Sequence, residues 1–295
     1  MIRLSPASRL AALLLALTLF FLPARAAAEE GSAVRPPAEG ADLRVMSYNI
    51  LHPDWSHVPV NGRDGIVAAI LLRYMPDVAA IQEAGAKWHK ALRPLLTDPG
   101  FYAPACRQSN AEGFIYCTTT FLYNPKTVAP VEETVLDLDF KDAARVFSVA
   151  VFERLSDGRR FVIANTHPAP RDEYEKYLRN MADVTAFAAA LKEKYPGLPV
   201  IVAGDFNTPE DSEPYRLFME QADLRDAKYE ADEMLLGCST YFGYPSVPDT
   251  ESTDLCVDHI FVGGGIEVKL FSAVADPGVE DASDHLPIYA DLALK

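Results

Sequence analysis

Asn49, Glu83, His167, Asp205, Asn207, Asp258, Asp284 and His285 all stand at the end or the start of an apolar run. Asn49 closes Leu43–Asn49, Glu83 closes Asp77–Glu83, and His167 follows Phe161–Asn165. Asp205 and Asn207 follow Leu198–Ala203, Asp258 opens Val257–Val262, and Asp284 and His285 open the last apolar segment. These residue types share a chemistry. Carboxylates and carboxamides supply hard oxygen ligands to a divalent cation and acceptors for a water proton. A histidine beside a carboxylate is held in one tautomer, and its charged form is favoured. A single polar strand end reads equally well as a turn that satisfies its own backbone. So many, all drawn from Asn, Asp, Glu and His, require strands that converge on one site.

The elements that must position them follow from periodicity. Leu198–Ala203, after Pro196-Gly197, is a β-branched run that reads as a buried strand, stopped by Thr208-Pro209. Alternation points Asp205 and Asn207 one way and Phe206 the other. Leu43–Asn49 alternates likewise, placing Asn49 on the face of Leu43, Val45 and Ser47. Helical spacing predicts helices over Asn61–Tyr74, Ala84–Leu96, Arg171–Lys194 and Pro209–Met219. Further strands are expected over Phe114–Tyr123, Thr127–Leu136, Arg145–Arg154, Phe161–Asn165 and Ile266–Ala273. Asp226–Cys256 has no period and reads as a long loop. Its Tyr229, Tyr241, Phe242 and Tyr244 make it the expected specificity element.

At 295 residues, 49% hydrophobic and 23% charged, the chain is globular. Residues 1–28 read as a signal peptide, with Arg3 and Arg9 in a basic stretch, Leu10–Leu22 apolar, and small residues before Glu29. Residues 29–42 read as a flexible leader and 43–295 as one domain. The expectation is therefore a secreted or periplasmic monomer with no stable membrane insertion after cleavage. The net charge of −15 argues against a non-specific polyanion binder with a broad basic face. Arg63, Arg107, Arg145, Arg171, Lys176 and Arg179 are scattered cations that could meet phosphates, each more readily read as an ordinary surface charge or salt-bridge partner. Export favours oxidised cysteines, and the sequence-local pairs are Cys106–Cys117 and Cys238–Cys256.

The ordered set Ser47-Tyr-Asn-Ile50, Pro76-Asp77 through Gln82-Glu83, Thr166-His167, Gly204-Asp-Phe-Asn207, Val257-Asp258-His-Ile and Ser283-Asp-His-Leu-Pro287 resembles the endonuclease/exonuclease/phosphatase superfamily. The resemblance spans residues 43–295. It implies an α/β fold, a four-layer α/β sandwich of two mixed β-sheets packed face to face with helices outside. It also implies a metal-dependent phosphoric ester hydrolase. Asn49, Glu83 and Asp284 match metal-side positions for Mg²⁺ or Mn²⁺, with Ca²⁺ as a further candidate. Asp205 matches the residue that orients and deprotonates water, and Asn207 one that holds the phosphate and the nucleophile. Asp258 and His285 match an Asp–His pair, and His167 a second histidine found in deoxyribonuclease I and the sphingomyelinases. The expected substrate is a phosphodiester, with nucleic acid ahead of a lipid headgroup. A sphingomyelinase-like phosphodiesterase, a phosphatase and a non-catalytic binding protein are the alternatives.

Overall fold

The computed structural model describes residues 34–106, 118–139 and 145–295. In chain order the elements are β1 (Leu43–Asn49), α1 (Pro53–Ser56), α2 (Arg63–Tyr74), β2 (Val78–Gln82) and α3 (Ala86–Leu92), which runs on into a π-turn over Arg93–Thr97. Then come β3 (Ala103–Ala105), β4 (Thr120–Tyr123), β5 (Val128–Asp137), β6 (Val146–Arg154), β7 (Arg160–Thr166) and α4 (Tyr174–Lys194). They are followed by β8 (Val200–Asp205), α5 (Glu213–Ala222), β9 (Arg225–Asp226), α6 (Ala227–Glu230) and β10 (Glu233–Leu236). The last strands are β11 (Asp258–Val262), β12 (Ile266–Ala273) and β13 (Ile288–Leu294). All belong to one compact unit, Pro37–Lys295.

These strands form two mixed sheets. One has the order β10-β12-β13-β1-β2-β4-β3 and the other β5-β6-β7-β8-β11-β9. The alternation in β8 shows how they stack. Ile201 and Ala203 point into the core shared with β1 and β2, while Val200 and Val202 join Tyr177, Val184 and Leu191 of α4 on the other side. Both faces of β8 are apolar because both are covered, and each such aliphatic side chain contributes about 1.5–3 kcal/mol on burial. On the far face of the first sheet, α2 brings Val67, Leu71 and Tyr74 against the core. This is the expected sandwich of helices outside two face-to-face sheets.

A buried ion pair fixes the centre of the first sheet. Arg44 on β1 donates to Asp291 on β13 through Nε at 2.6 Å and Nη2 at 2.8 Å, and its Nη1 donates to the Tyr74 carbonyl at 2.7 Å. Removing either partner would leave a buried charge and cost about 3–5 kcal/mol.

Several expectations are corrected. Asp226–Cys256 is not a plain loop, since it contains α6 and β10. Among the described residues Cys238 and Cys256 are free and buried, so the expected Cys238–Cys256 bridge is absent. The Cys256 thiol instead donates to the Cys238 carbonyl at 3.2 Å and accepts from the Lys228 ammonium at 3.3 Å. Cys117 lies outside the described residues, as does Arg107.

Candidate active site

Strand register brings the polar ends together. β1 and β2 run parallel with Asn49 beside Gln82, which sets Asn49 next to Glu83. β7 and β8 run parallel with Thr166 beside Gly204, so His167 and Asp205 emerge side by side. β8 and β11 are antiparallel with Asp205 opposite Asp258. Gly204 makes the closest of these approaches possible. A Cβ there would lie 2.2 Å from the Thr166 carbonyl oxygen, and its φ of +153° disfavours side chains.

Asn49 links the two sheets, its Nδ2 donating to Glu83 Oε1 at 3.0 Å and to Asp205 Oδ2 at 3.0 Å. Its own Oδ1 accepts from the Leu51 amide at 3.0 Å, and the His52 amide donates to Glu83 Oε2. Asp205 Oδ2 also lies 3.3 Å from His167 Nε2 and 3.6 Å from His285 Nε2. Burial opposes charge on Asp205, but His285, His167 and the hydrogen bonds from His167 and Asn49 overcome it and hold the carboxyl well below the usual range. Burial likewise opposes charge on His285. Asp258, Asp205 and Asp284 outweigh it, raising the ring well above its ordinary pKa.

Asn207 reaches the site by a different route from the expected alternation. β8 ends at Asp205, and Asn207 takes a left-handed φ of 51°. Its amide donates to Asp205 Oδ1 at 2.8 Å, and its Nδ2 donates to the Pro168 carbonyl at 3.1 Å. Glu83 is left-handed too, with φ of 64°. Such backbone is costly for side-chain-bearing residues and clusters at functional sites. Phe206 points away from the site, into the core beneath α5, as alternation requires.

Asp284 and His285 sit in the loop before β13 rather than on the strand. Tyr241 forms an antiparallel bridge with His285, and the two rings meet at 5.0 Å with a 54° tilt. The aromatic stretch predicted to set specificity therefore touches His285. Of the scattered cations, Arg63 is buried and spends its guanidinium on the carbonyls of Pro59, Ile50, Ala282, Leu51 and Val58, so it holds the fold rather than a phosphate. Lys176 pairs with Glu173 and Arg179 with Asp139. Arg145 donates to the Pro168 carbonyl at 3.1 Å, and Arg171 is exposed.

Two supporting residues carried no readable signal or only a faint one. Thr240 Oγ1 accepts from the amides of Val257 and Asp258 at 3.1 Å each, fixing the start of β11. Ser283 donates to the Asn49 carbonyl at 2.6 Å. Ser283 adjoins the Asp284-His285 pair, a hint available in the sequence. Thr240 lies in the aperiodic stretch and offered none.

The oxygen donors suit a hard divalent ion. Burial raises the Asp284 carboxyl, His285 draws it down, and the neighbouring Glu83 pushes it up again. A cation beside Glu83 and Asp284 would relieve that repulsion. Asn49, expected as a further ligand, turns its Nδ2 to Glu83 and its Oδ1 to the Leu51 amide. Asp205, Asp258 and His285 bring one donor atom each within 4.8 Å, but there the ring already serves both carboxylates.

A model of the family described as "Endonuclease/Exonuclease/phosphatase family" matches residues 46–285. The chain is 23% identical over 338 residues to the CCR4-Not complex 3'-5'-exoribonuclease subunit Ccr4 of Yarrowia lipolytica, covering 85% of this chain and 48% of that protein. It is 25% identical to Nocturnin of Homo sapiens over 210 residues, covering 62% and 47%. The chain thus spans about half the length of the curated relatives it matches. Among solved structures, a mannosyl-6-phosphatase of Bacteroides thetaiotaomicron superposes with a TM-score of 0.70 at 21% identity, covering 85% of this chain and 99% of that one.

Proposed function

Because the chain belongs to the endonuclease/exonuclease/phosphatase family, a family of metal-dependent phosphoric ester hydrolases, we propose that its substrate is a phosphodiester, with nucleic acid favoured over a lipid headgroup. The observation that carries this reading is the pair of histidines on one buried carboxylate, His167 at 3.3 Å and His285 at 3.6 Å from Asp205 Oδ2. Two N–H groups facing the same point suit a phosphate whose alkoxide leaving group needs a proton. The relative named as an exoribonuclease supports the same choice.

In this mechanism Asp205, ionised and held by Asn49 and the Asn207 amide, orients the attacking water and accepts its proton. Asp258 accepts a hydrogen bond from His285 Nδ1–H, which leaves the Nε2–H directed at a phosphate or leaving-group oxygen. His167 and Asn207 hold the remaining oxygens in line for displacement. Glu83 and Asp284 would hold Mg²⁺ or Mn²⁺, which when bound neutralises the phosphate and the developing charge. Export through residues 1–28 and action as a monomer complete the proposal. No helix among the described residues is long and apolar enough to cross a membrane.

The test is a screen of the purified chain with Mg²⁺ or Mn²⁺ at low salt against plasmid DNA, RNA, sphingomyelin, bis-p-nitrophenyl phosphate and sugar phosphates. Cleavage of nucleic acid and of the synthetic diester is expected. Turnover of monoesters alone would refute the diester reading in favour of a phosphatase, as the Bacteroides neighbour is named. Cleavage of sphingomyelin but not DNA or RNA would reverse the ranking.

A further inference from the structure

Behind the catalytic strands, on the helix side of the six-stranded sheet, lies a buried polar cluster that hydrolysis does not employ directly. His259 follows Asp258 in β11, so its side chain leaves the opposite face, where it is 2% exposed. Its ring packs against Phe206, Tyr215 and Phe261 at 5.7, 5.0 and 5.2 Å. Nε2 lies 2.8 Å from the Thr208 carbonyl oxygen and Nδ1 lies 3.2 Å from Asp226 Oδ2. A neutral imidazole has one N–H and would leave one of these contacts lone pair against lone pair. Asp226 is already engaged as an acceptor, from the Tyr215 hydroxyl at Oδ2 (2.8 Å) and from the Lys228 amide at Oδ1 (2.9 Å).

We propose that His259 is held as an imidazolium and is a positioning residue for the turn from Asp205 to Thr208, donating from Nε2 to the Thr208 carbonyl and from Nδ1 to Asp226. That turn carries the strained Asn207 and ends on a threonine fixed twice more, since its hydroxyl meets Tyr177 Oη at 2.8 Å and donates to the Phe206 carbonyl at 2.7 Å. Holding the Thr208 carbonyl from behind keeps Asn207 wound back onto Asp205 and Pro168. Burial opposes a charged ring here. The hydrogen bond and charge of Asp226, the Thr208 carbonyl and the charge of Glu210 outweigh it and raise His259 above its ordinary 6.5. Glu210, Asp226 and His259 bring donor atoms within 4.8 Å, as a metal centre would. The cationic place is already taken, because the Lys228 ammonium sits 2.8 and 3.0 Å from the two Glu210 oxygens.

The charge claim stands on its own, and the positioning claim rests on the hydrolase reading above, so the test has two parts. Nitrogen NMR of the histidine-labelled full chain at about pH 8, above the ordinary histidine pKa, should find both ring nitrogens of His259 protonated. A ring with one bare nitrogen at that pH would overturn the assignment, whether or not the chain cleaves any phosphoester. On whichever phosphoester the chain turns over, His259→Gln and Asp226→Asn should lower kcat roughly 10–100-fold with KM little changed, the usual result of misplacing a reacting group by about an ångström. Folded variants with wild-type kcat, or a loss confined to KM, would overturn the positioning role.

Discussion

Asp258 holds His285 across the boundary between the two sheets, through a 2.8 Å contact from Nδ1 to Oδ2, while the other ring nitrogen faces Asp205 at 3.6 Å. The ring is thus clamped between the acids of two neighbouring strands, and the proton it can offer is the one on Nε2. Asp205→Asn, Asp258→Asn and His285→Ala should each lower kcat by roughly 10²–10⁴-fold with the far-ultraviolet circular dichroism unchanged. Full activity in all three variants would remove the acid–base scheme.

Metal should act on stability as well as on rate. Activity should vanish in EDTA and return with Mg²⁺ or Mn²⁺. An ion that binds only the folded chain stabilises it by about 2.7 kcal/mol at a hundredfold excess over Kd. The wild type should therefore melt higher with added metal, and Glu83→Gln should lose most of that gain. A melting curve indifferent to metal in both proteins would argue against Glu83 as a ligand.

Gly204→Ala should cost about 1–3 kcal/mol or more, because the new methyl meets a backbone oxygen that cannot rotate away. Since Thr166 and Gly204 are register partners, the damage should reach both His167 and Asp205. Urea unfolding and kcat should fall together. A variant as stable as wild type would mean that the two strands can part there without penalty.

His259 makes a pH prediction. A folded-state pKa raised above 6.5 stabilises the protein fully below that value, and the contribution is lost as pH climbs through the folded pKa. Stability should accordingly decline on the alkaline side, and His259→Gln should show a flatter profile above about pH 6.5. Parallel profiles for the two proteins would refute the linkage.

Alkylation should find Cys238 and Cys256 as thiols in denaturant without reductant. In the native state both should react slowly, since each is buried and burial lifts Cys256 to about 11. A bridged peptide in mass spectrometry would contradict the geometry around Lys228.

Much of this was legible before any coordinates, because buried strands carry a period of two and a polar residue that ends such a run is conspicuous. The acids and histidines of the site were all visible in that way, and so was Phe206 facing away. What escaped depends on contacts between distant segments. Thr240 and Ser283 act through single hydrogen bonds that leave no periodic trace. Arg63 looked available for phosphate because a sequence does not show the backbone carbonyls that surround it. Asn207 departs from strand alternation, since a left-handed turn brings its backbone amide to Asp205 while its side chain donates to the Pro168 carbonyl. The Cys238–Cys256 pair misled because proximity in sequence does not by itself join two thiols.

The pairing of β1 with β13 has a consequence for how the chain acquires activity. Leu43 lies opposite Leu292, so the middle of the seven-stranded sheet closes only when segments from both ends of the domain meet. Such a topology is dominated by non-local contacts and folds slowly for its size. Asn49 and His285 flank that seam, and no early folding intermediate built from neighbouring segments contains both. In refolding, recovery of turnover should therefore lag behind burial of Trp88 and appear only in the final phase, which makes catalysis a clock for completion of the fold.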